Sequence, residues 1–96
     1  MKHASAATLQ QLASLIERLR SLPGLVERKP GTFYHRSSAF LHFHEDPAGL
    51  FADAKLDLKV FERHCVSTPA QQKALLKAVG AALAGSHGNT GRTSAR

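Results

Sequence analysis

The chain has 96 residues, of which 43% are hydrophobic and 21% are charged, and its formal net charge is +6. This length allows one domain with a thin core, and the composition is typical of globular proteins rather than of fibrous or membrane-spanning ones. Residues 86–96 contribute two positive charges and no apolar run. We therefore predict a single domain over residues 1–85 and a disordered tail over residues 86–96.

The cysteine count and the hydropathy bear on the cellular compartment. Cys65 is the only cysteine, which excludes an internal disulfide and a CxxC metal knuckle. No apolar run reaches the length of a membrane span, and the N-terminus lacks the apolar segment of a secretory signal. We expect a cytoplasmic protein without membrane partners.

The first segment predicts an amphipathic helix that packs on the core. Four aliphatic residues recur at helical spacing between polar ones, namely Leu9, Leu12, Ile16 and Leu19. Ser5 or Thr8 is placed to cap the start of this helix. Pro23 and Gly24 end it, because proline cannot continue a helix and glycine permits the turn.

A series of β-prone runs follows the first helix. The runs cover residues 25–29, 32–36, 39–44, 50–56 and 61–66. Ser37-Ser38 is the predicted turn of the first hairpin, and the turn formers of residues 45–49 end the third run. Residues 57–60 fit either a helical turn or the start of a strand.

The last segment predicts a second helix. Thr68 is a cap, Pro69 takes the first helical position, and Gln71 reaches back to the cap. The helix is expected to end at Gly85. Taken together, the elements predict an α+β fold: a single domain whose antiparallel sheet of about four strands is flanked by an N-terminal and a C-terminal helix.

The middle strands alternate in polarity, which predicts which sheet face is buried. One register places Leu41 and Phe43 beside Ala52 and Ala54 in a core beneath the helices. A slip of one residue would exchange the two faces. If the hairpin turn is tight, the outer face carries His35, Phe40, His42, His44 and Asp53.

Imidazole and aromatic side chains on an open sheet face are typical of a binding surface. Our leading hypothesis is a small non-enzymatic domain that binds a ligand or a protein partner through this face. An uncovered aromatic face also favours a homodimer.

The most specific candidate site is His42-Phe43-His44. Two histidines at positions i and i+2 of a strand point the same way. A third ligand would come from a neighbouring strand, as His35 or Asp53, or from the following loop, as Glu45 or Asp46. This donor set predicts a divalent metal cofactor such as Zn²⁺, Fe²⁺ or Ni²⁺. A metal-dependent or histidine-dependent enzyme that uses the His42/His44 cluster is therefore the first alternative function. Two partly exposed histidines without a metal remain the other interpretation.

A nucleic-acid-binding module is the second alternative function. It would use basic and aromatic residues of the sheet, namely Arg28, Lys29, Tyr34, Arg36, Phe40, Phe51, Lys55, Lys59 and Arg63. No RNP-like or glycine-rich phosphate motif accompanies them. A solvated basic surface explains the same residues.

The segment LPGLVERKPGTFYHRSSAFLHFHEDPAGLFADAKL, residues 22–56, resembles small uncharacterised bacterial proteins of the luciferase-domain family. The matching positions are His42, His44 and Asp46 of a His-x-His-x-Asp element, followed by Gly49-Leu50 and Ala52-Asp53. Pro47-Ala48 is an insertion relative to that pattern. The order of elements is also similar to that of MmcQ/YjbR-like proteins. The resemblance implies a small α+β protein and no established reaction.

Overall fold

Helices lie at both ends of the chain in the computed structural model, and an antiparallel sheet lies between them. The structure describes residues 2–86, so the predicted tail lies, from residue 87 onward, outside the described residues. The elements are β1 (Lys2–His3), α1 (Ala6–Gln11), α2 (Ala13–Arg20), β2 (Val26–Lys29), β3 (Thr32–His35), β4 (Ser38–Asp46), β5 (Gly49–Ala54), β6 (Glu62–Cys65) and α3 (Pro69–Ser86). The predicted α+β class is confirmed.

The sheet has more strands than the four predicted. Its main path is β2-β3-β4-β5-β6, and the two-residue strand β1 also pairs with β4. The strand β4 has nine residues and β3 only four, so β1 occupies the part of β4 that β3 does not reach. The C-terminal half of β4 therefore lies between β1 and β5.

The predicted register of the two middle strands is confirmed. Leu41 pairs with Ala54 and Phe43 pairs with Ala52. All four side chains are buried in one hydrophobic core with the helices. The helical part of this core comprises Leu12, Leu15, Ile16, Leu19, Leu75, Val79 and Leu83. Each large side chain buried here contributes about 1.5–3 kcal/mol, which fixes this face of the sheet beneath the helices.

The hairpin between β3 and β4 turns one residue earlier than predicted. Its central residues are Arg36 and Ser37, and their φ values are 53° and 68°. Positive φ at both positions is the backbone of a type I′ turn, whose twist matches that of two antiparallel strands. His35 consequently pairs with Ser38.

A β-bulge in the same hairpin overturns part of the predicted outer face. Phe33 pairs with Leu41 but Tyr34 pairs with Ala39, so Phe40 is an extra residue in β4. Phe40 is 2% exposed and belongs to the hydrophobic core, and His35 is 7% exposed. The prediction that these two residues lie on an open face is wrong, because the bulge breaks the alternation from which it was made.

Side-chain caps define where the helices begin. The Thr8 N–H donates to Ser5 Oγ at 3.2 Å, so Ser5 caps α1. The predicted capping box of α3 is present: Gln71 N–H donates to Thr68 Oγ1 at 3.2 Å, and Thr68 N–H donates to Gln71 Oε1 at 3.0 Å. None of the helices within residues 2–86 combines the length and the apolar character that crossing a membrane requires.

Glu27 joins α2 to the first hairpin of the sheet. Its carboxylate accepts hydrogen bonds from the Arg20 guanidinium and, at 2.8 Å, from the Gly31 N–H. The Arg20 hydrogen bond is the main cause that holds the pKa of Glu27 below its usual value. A lowered pKa in the folded state stabilises the protein above the unfolded pKa, and this contribution is lost as the pH falls.

We expect Glu27→Gln to flatten the acid side of the stability profile. Between about pH 6 and about pH 3, the wild type should lose about 0.5–1 kcal/mol of unfolding free energy more than the variant. Urea unfolding at several pH values measures this difference. Glu17→Gln is the control, because Glu17 contacts the same Arg20 from a more exposed position. Equal pH slopes for the wild type and Glu27→Gln would contradict the assignment.

Candidate metal centre

Two histidines of β4 lie side by side on the sheet face opposite the core. His42 and His44 alternate with Leu41 and Phe43, so their rings point away from the helices. The ring centroids are 4.7 Å apart and the ring planes make an angle of 73°. Both side chains are half-buried.

The N-terminal strand brings a third imidazole to this pair. His3 pairs with His44 in the ladder between β1 and β4. The rings of these two residues are stacked, with centroids 5.0 Å apart, and the His3 ring lies 6.0 Å from that of His42. One ring nitrogen from each of the three residues lies within 4.8 Å of the other two. We call His3, His42 and His44 the histidine cluster.

Hydrogen bonds hold the N-terminal strand in this position. The Ala4 N–H donates to the Phe43 carbonyl at 3.2 Å, and the Ser5 N–H donates to Glu45 Oε1 at 2.6 Å. Both donors belong to the two residues that link His3 to α1. The hydrogen bonds therefore fix the position of His3 beside β4.

Asp53 lies beneath the cluster, next to His42 in the ladder and diagonal to His44. Its carboxylate accepts two hydrogen bonds from Arg63, from Nε at 2.9 Å and from Nη2 at 3.1 Å. The Arg63 contact is the main cause that holds the pKa of Asp53 below its usual value. Asp53 is 8% exposed, so this anion is stabilised inside the sheet face.

The second oxygen of Asp53 also approaches the cluster. His44 Nε2 lies 3.0 Å from Asp53 Oδ2, but the angle does not meet hydrogen-bond geometry. The contact places a carboxylate beside a histidine of the cluster. The structure brings His42, His44 and Asp53 together as predicted, with both Asp53 oxygens engaged. Asp53 as a metal ligand stays a prediction.

Side chains of the segment after β5 cover part of the cluster. The Phe61 ring packs edge-on against His42 with a centroid distance of 4.9 Å, and the Lys55 ammonium lies 4.9 Å from the Phe61 centroid. Burial is the main cause that lowers the pKa of His42, and the neighbouring His44 adds to it. The neutral imidazole is the form that binds metals.

Because Phe61 packs on His42, this sheet face is partly covered rather than open. The homodimer predicted from an open face stays a prediction.

Two ring nitrogens of the cluster are buried without a hydrogen-bond partner among the described residues. They are His42 Nδ1 and His44 Nε2, and outside the cluster His64 Nε2 is also buried without a partner. Nearly all buried polar atoms in proteins have a partner, and unpaired ones are concentrated where an ion, a water or a catalytic group acts. His42 Nδ1 can therefore act as a donor to an ion, whereas His44 Nε2 faces Asp53 Oδ2 and leaves Nδ1 of that ring for an ion.

His35 and Phe40 belong to a different place in the fold. Both residues line a separate cavity at the turn end of the β3–β4 hairpin. The His35 Nδ1–H donates to the Gly24 carbonyl at 2.9 Å. The structure therefore divides the predicted ligand-binding set: it brings His42, His44 and Asp53 together and separates His35 and Phe40 from them.

No family model, curated protein or solved structure matches the chain. The resemblance of residues 22–56 to the luciferase-domain family, and the weaker one to MmcQ/YjbR-like proteins, therefore stay predictions.

Proposed function

We propose that this protein is a metal-binding domain that holds a divalent transition-metal ion, with Zn²⁺ the preferred ion, on His3, His42 and His44. The observation that carries the proposal is the convergence of three imidazole nitrogens within 4.8 Å of one another. Two of these residues are half-buried, and the third is held over them by a paired strand.

The donor set decides which ion fits. Imidazole suits Zn²⁺, Cu²⁺, Fe²⁺ and Ni²⁺, whereas Mg²⁺ and Ca²⁺ prefer oxygen ligands. Zn–N bonds of about 2.0–2.1 Å in a tetrahedral site bring the nitrogens to about 3.3 Å from one another. Small rotations of the histidine side chains would bring the three nitrogens from within 4.8 Å of one another to this distance. Three protein ligands leave one coordination position for water or a ligand.

Asp53 supports this interpretation from behind the cluster. Histidines that bind metals usually direct the other ring nitrogen at a carboxylate or a carbonyl, which orients the ring and raises its basicity. Asp53 Oδ2 is in place to do this for His44 through Nε2. Arg63 holds the carboxylate in that position.

Zn²⁺ should raise the melting temperature of tag-free protein. At a free Zn²⁺ concentration of about 100 times Kd, a single site adds about 2.7 kcal/mol, which corresponds to a shift of about 10–20 °C for a domain of this size. Mg²⁺ at the same concentration should have no effect. Differential scanning calorimetry measures the shift, and an unchanged melting temperature with Zn²⁺, Ni²⁺ and Fe²⁺ would contradict the proposal.

A metal-dependent hydrolytic enzyme is the second candidate function. The observation that favours it is the ligand count, because three protein ligands plus a bound water is the arrangement of catalytic rather than structural zinc sites. The test is turnover of activated esters and phosphate esters by Zn²⁺-loaded protein. Turnover must disappear in His42→Ala; equal rates with the wild type and this variant would exclude catalysis at the cluster.

We place the protein in the cytoplasm. The support is the single cysteine, Cys65, because chains of reducing compartments do without disulfides. Cell fractionation with an antibody against the protein tests this placement.

A further inference from the structure

A second site lies at the turn end of the β3–β4 hairpin. A cavity of about 180 Å³ opens there. Phe40, Ala39 and Leu58 give it apolar walls, and His35, Arg36, Ser38 and Lys55 add polar and charged groups to the lining. None of these residues belongs to the histidine cluster.

The size of the cavity limits what can enter. An engineered apolar cavity of about 150 Å³ admits benzene, so this one accommodates a single ring or a short branched chain. The deep wall is rigid, because Phe40 is 2% exposed in the core and its carbonyl accepts a hydrogen bond from Lys55 N–H at 2.9 Å. A ligand would therefore meet a preformed surface.

The charges around the cavity specify the other end of the ligand. Lys55 Nζ lies 3.5 Å from Ser38 Oγ, and Arg36 belongs to the same lining. Within residues 2–86, no acidic side chain lines the cavity. Two cations and a hydroxyl beside an apolar wall suit an anion that carries an apolar group.

The backbone of Leu58 gives an independent indication. Its φ is 66°, a left-handed conformation that costs a non-glycine residue energy, and its side chain is 45% exposed. Asp57 Oδ1 holds the turn by accepting the N–H groups of Lys59 and Val60, at 2.8 and 3.0 Å. Strained residues are concentrated at binding sites, where the surrounding structure enforces them.

From these observations we propose that the hairpin cavity binds a small monocarboxylate with an aromatic ring or a short branched hydrocarbon chain. The hydrocarbon part lies against Phe40 and Leu58. The carboxylate is held by the Lys55 ammonium and the Ser38 hydroxyl, with the Arg36 charge beside them. The site shares no residue with the histidine cluster, although the Lys55 ammonium also lies 4.9 Å from the centroid of the Phe61 ring that packs on His42.

The test is a titration of metal-free protein with sodium benzoate in the presence of EDTA, followed by ¹⁵N–¹H correlation spectra. EDTA removes carboxylate binding to a metal as an explanation. We expect saturable shifts concentrated in residues 35–40 and 55–58. Benzamide, which has the ring without the charge, and acetate, which has the charge without the ring, should each bind about tenfold more weakly.

Variants identify the residues responsible. Lys55→Met should weaken benzoate binding by about tenfold or more, and Lys55→Arg should retain it because the charge is kept. Lys59→Met is the matched control, since Lys59 is a cation of the same segment outside the cavity. Leu58→Gly removes a side chain that lines the cavity, so it should weaken benzoate binding. Because glycine adopts the left-handed backbone of this position without strain, the melting temperature should not fall.

The outcomes separate this site from the histidine cluster. His3→Ala, which removes the ring stacked on His44 and leaves the Phe61–His42 contact in place, should leave benzoate binding unchanged, whatever it does to Zn²⁺ binding. Absence of saturable shifts at residues 35–40 and 55–58, shifts centred on the histidine cluster instead, or equal binding of benzoate and benzamide would overturn the proposal.

Discussion

The largest expected effect is on metal binding: His42→Ala should lower the affinity for Zn²⁺ by about 100-fold or more, since even changes outside the ligand set cost 10–100-fold. The rings of His3, His44 and Phe61 all pack against the His42 ring. Its loss leaves two nitrogens, one of them on an exposed residue. Isothermal titration calorimetry with Zn²⁺ measures the difference.

The matched control for His42→Ala is His64→Gln. His64 is also half-buried on a strand, but it pairs with Ala52 and lies outside the cluster. This variant should keep the Zn²⁺ affinity of the wild type. Equal losses in both variants would show that Zn²⁺ binds scattered histidines rather than one site.

The second large effect is on stability: Asp53→Ala should lower the free energy of unfolding by about 2–3 kcal/mol. The substitution removes the acceptor of both Arg63 hydrogen bonds. It also removes the carboxylate oxygen that lies 3.0 Å from His44 Nε2. Arg63→Ala should cost at least as much, because it leaves the buried Asp53 carboxylate without the donor of both hydrogen bonds, whereas a guanidinium left by Asp53→Ala is half exposed to water. Urea unfolding of the metal-free variants measures both changes.

Glu62→Ala is the matched control for Asp53→Ala, because it removes a carboxylate from β6, the strand that pairs with the strand of Asp53. Glu62 is an exposed residue of β6 beside Arg63. Its replacement should change the unfolding free energy by no more than about 0.5 kcal/mol. A loss for Asp53→Ala no larger than that for Glu62→Ala would show that the buried carboxylate does not organise the outer face.

The parts of the fold that could be predicted from sequence are those set by local pattern. The alternation from Leu41 onward determines the register with Ala52 and Ala54, because a slip would bury imidazoles and expose phenylalanine. Thr68 and Gln71 mark the start of the last helix by a local exchange of hydrogen bonds. Each of these signals acts within a few residues.

The parts that could not be predicted depend on distant pairing. His3 joins the cluster through a two-residue strand, and the hydrogen bond that anchors it links residues 40 positions apart. No local pattern marks so short a strand. Arg36-Ser37 turns with positive φ although it has neither asparagine nor glycine. The bulge at Phe40 then separates His35 and Phe40 from the face on which simple alternation places them.

The roles of Arg63 and Phe61 at the site could be predicted only in part from the sequence. A basic residue across the ladder from a buried aspartate is the arrangement expected of a cross-strand ion pair, but the register of β6 is needed to see it. Phe61 comes directly before that strand, and only the path of the segment after β5 brings its ring onto His42.

X-ray absorption spectroscopy at the zinc edge, on tag-free protein loaded with one equivalent of Zn²⁺, tests the metal site most directly. We expect a first shell at about 2.0–2.1 Å with the scattering pattern of three imidazoles, reduced to two in His3→Ala. A metal that is lost on gel filtration, or a shell that contains fewer than three imidazoles in the wild type, would contradict the proposed centre.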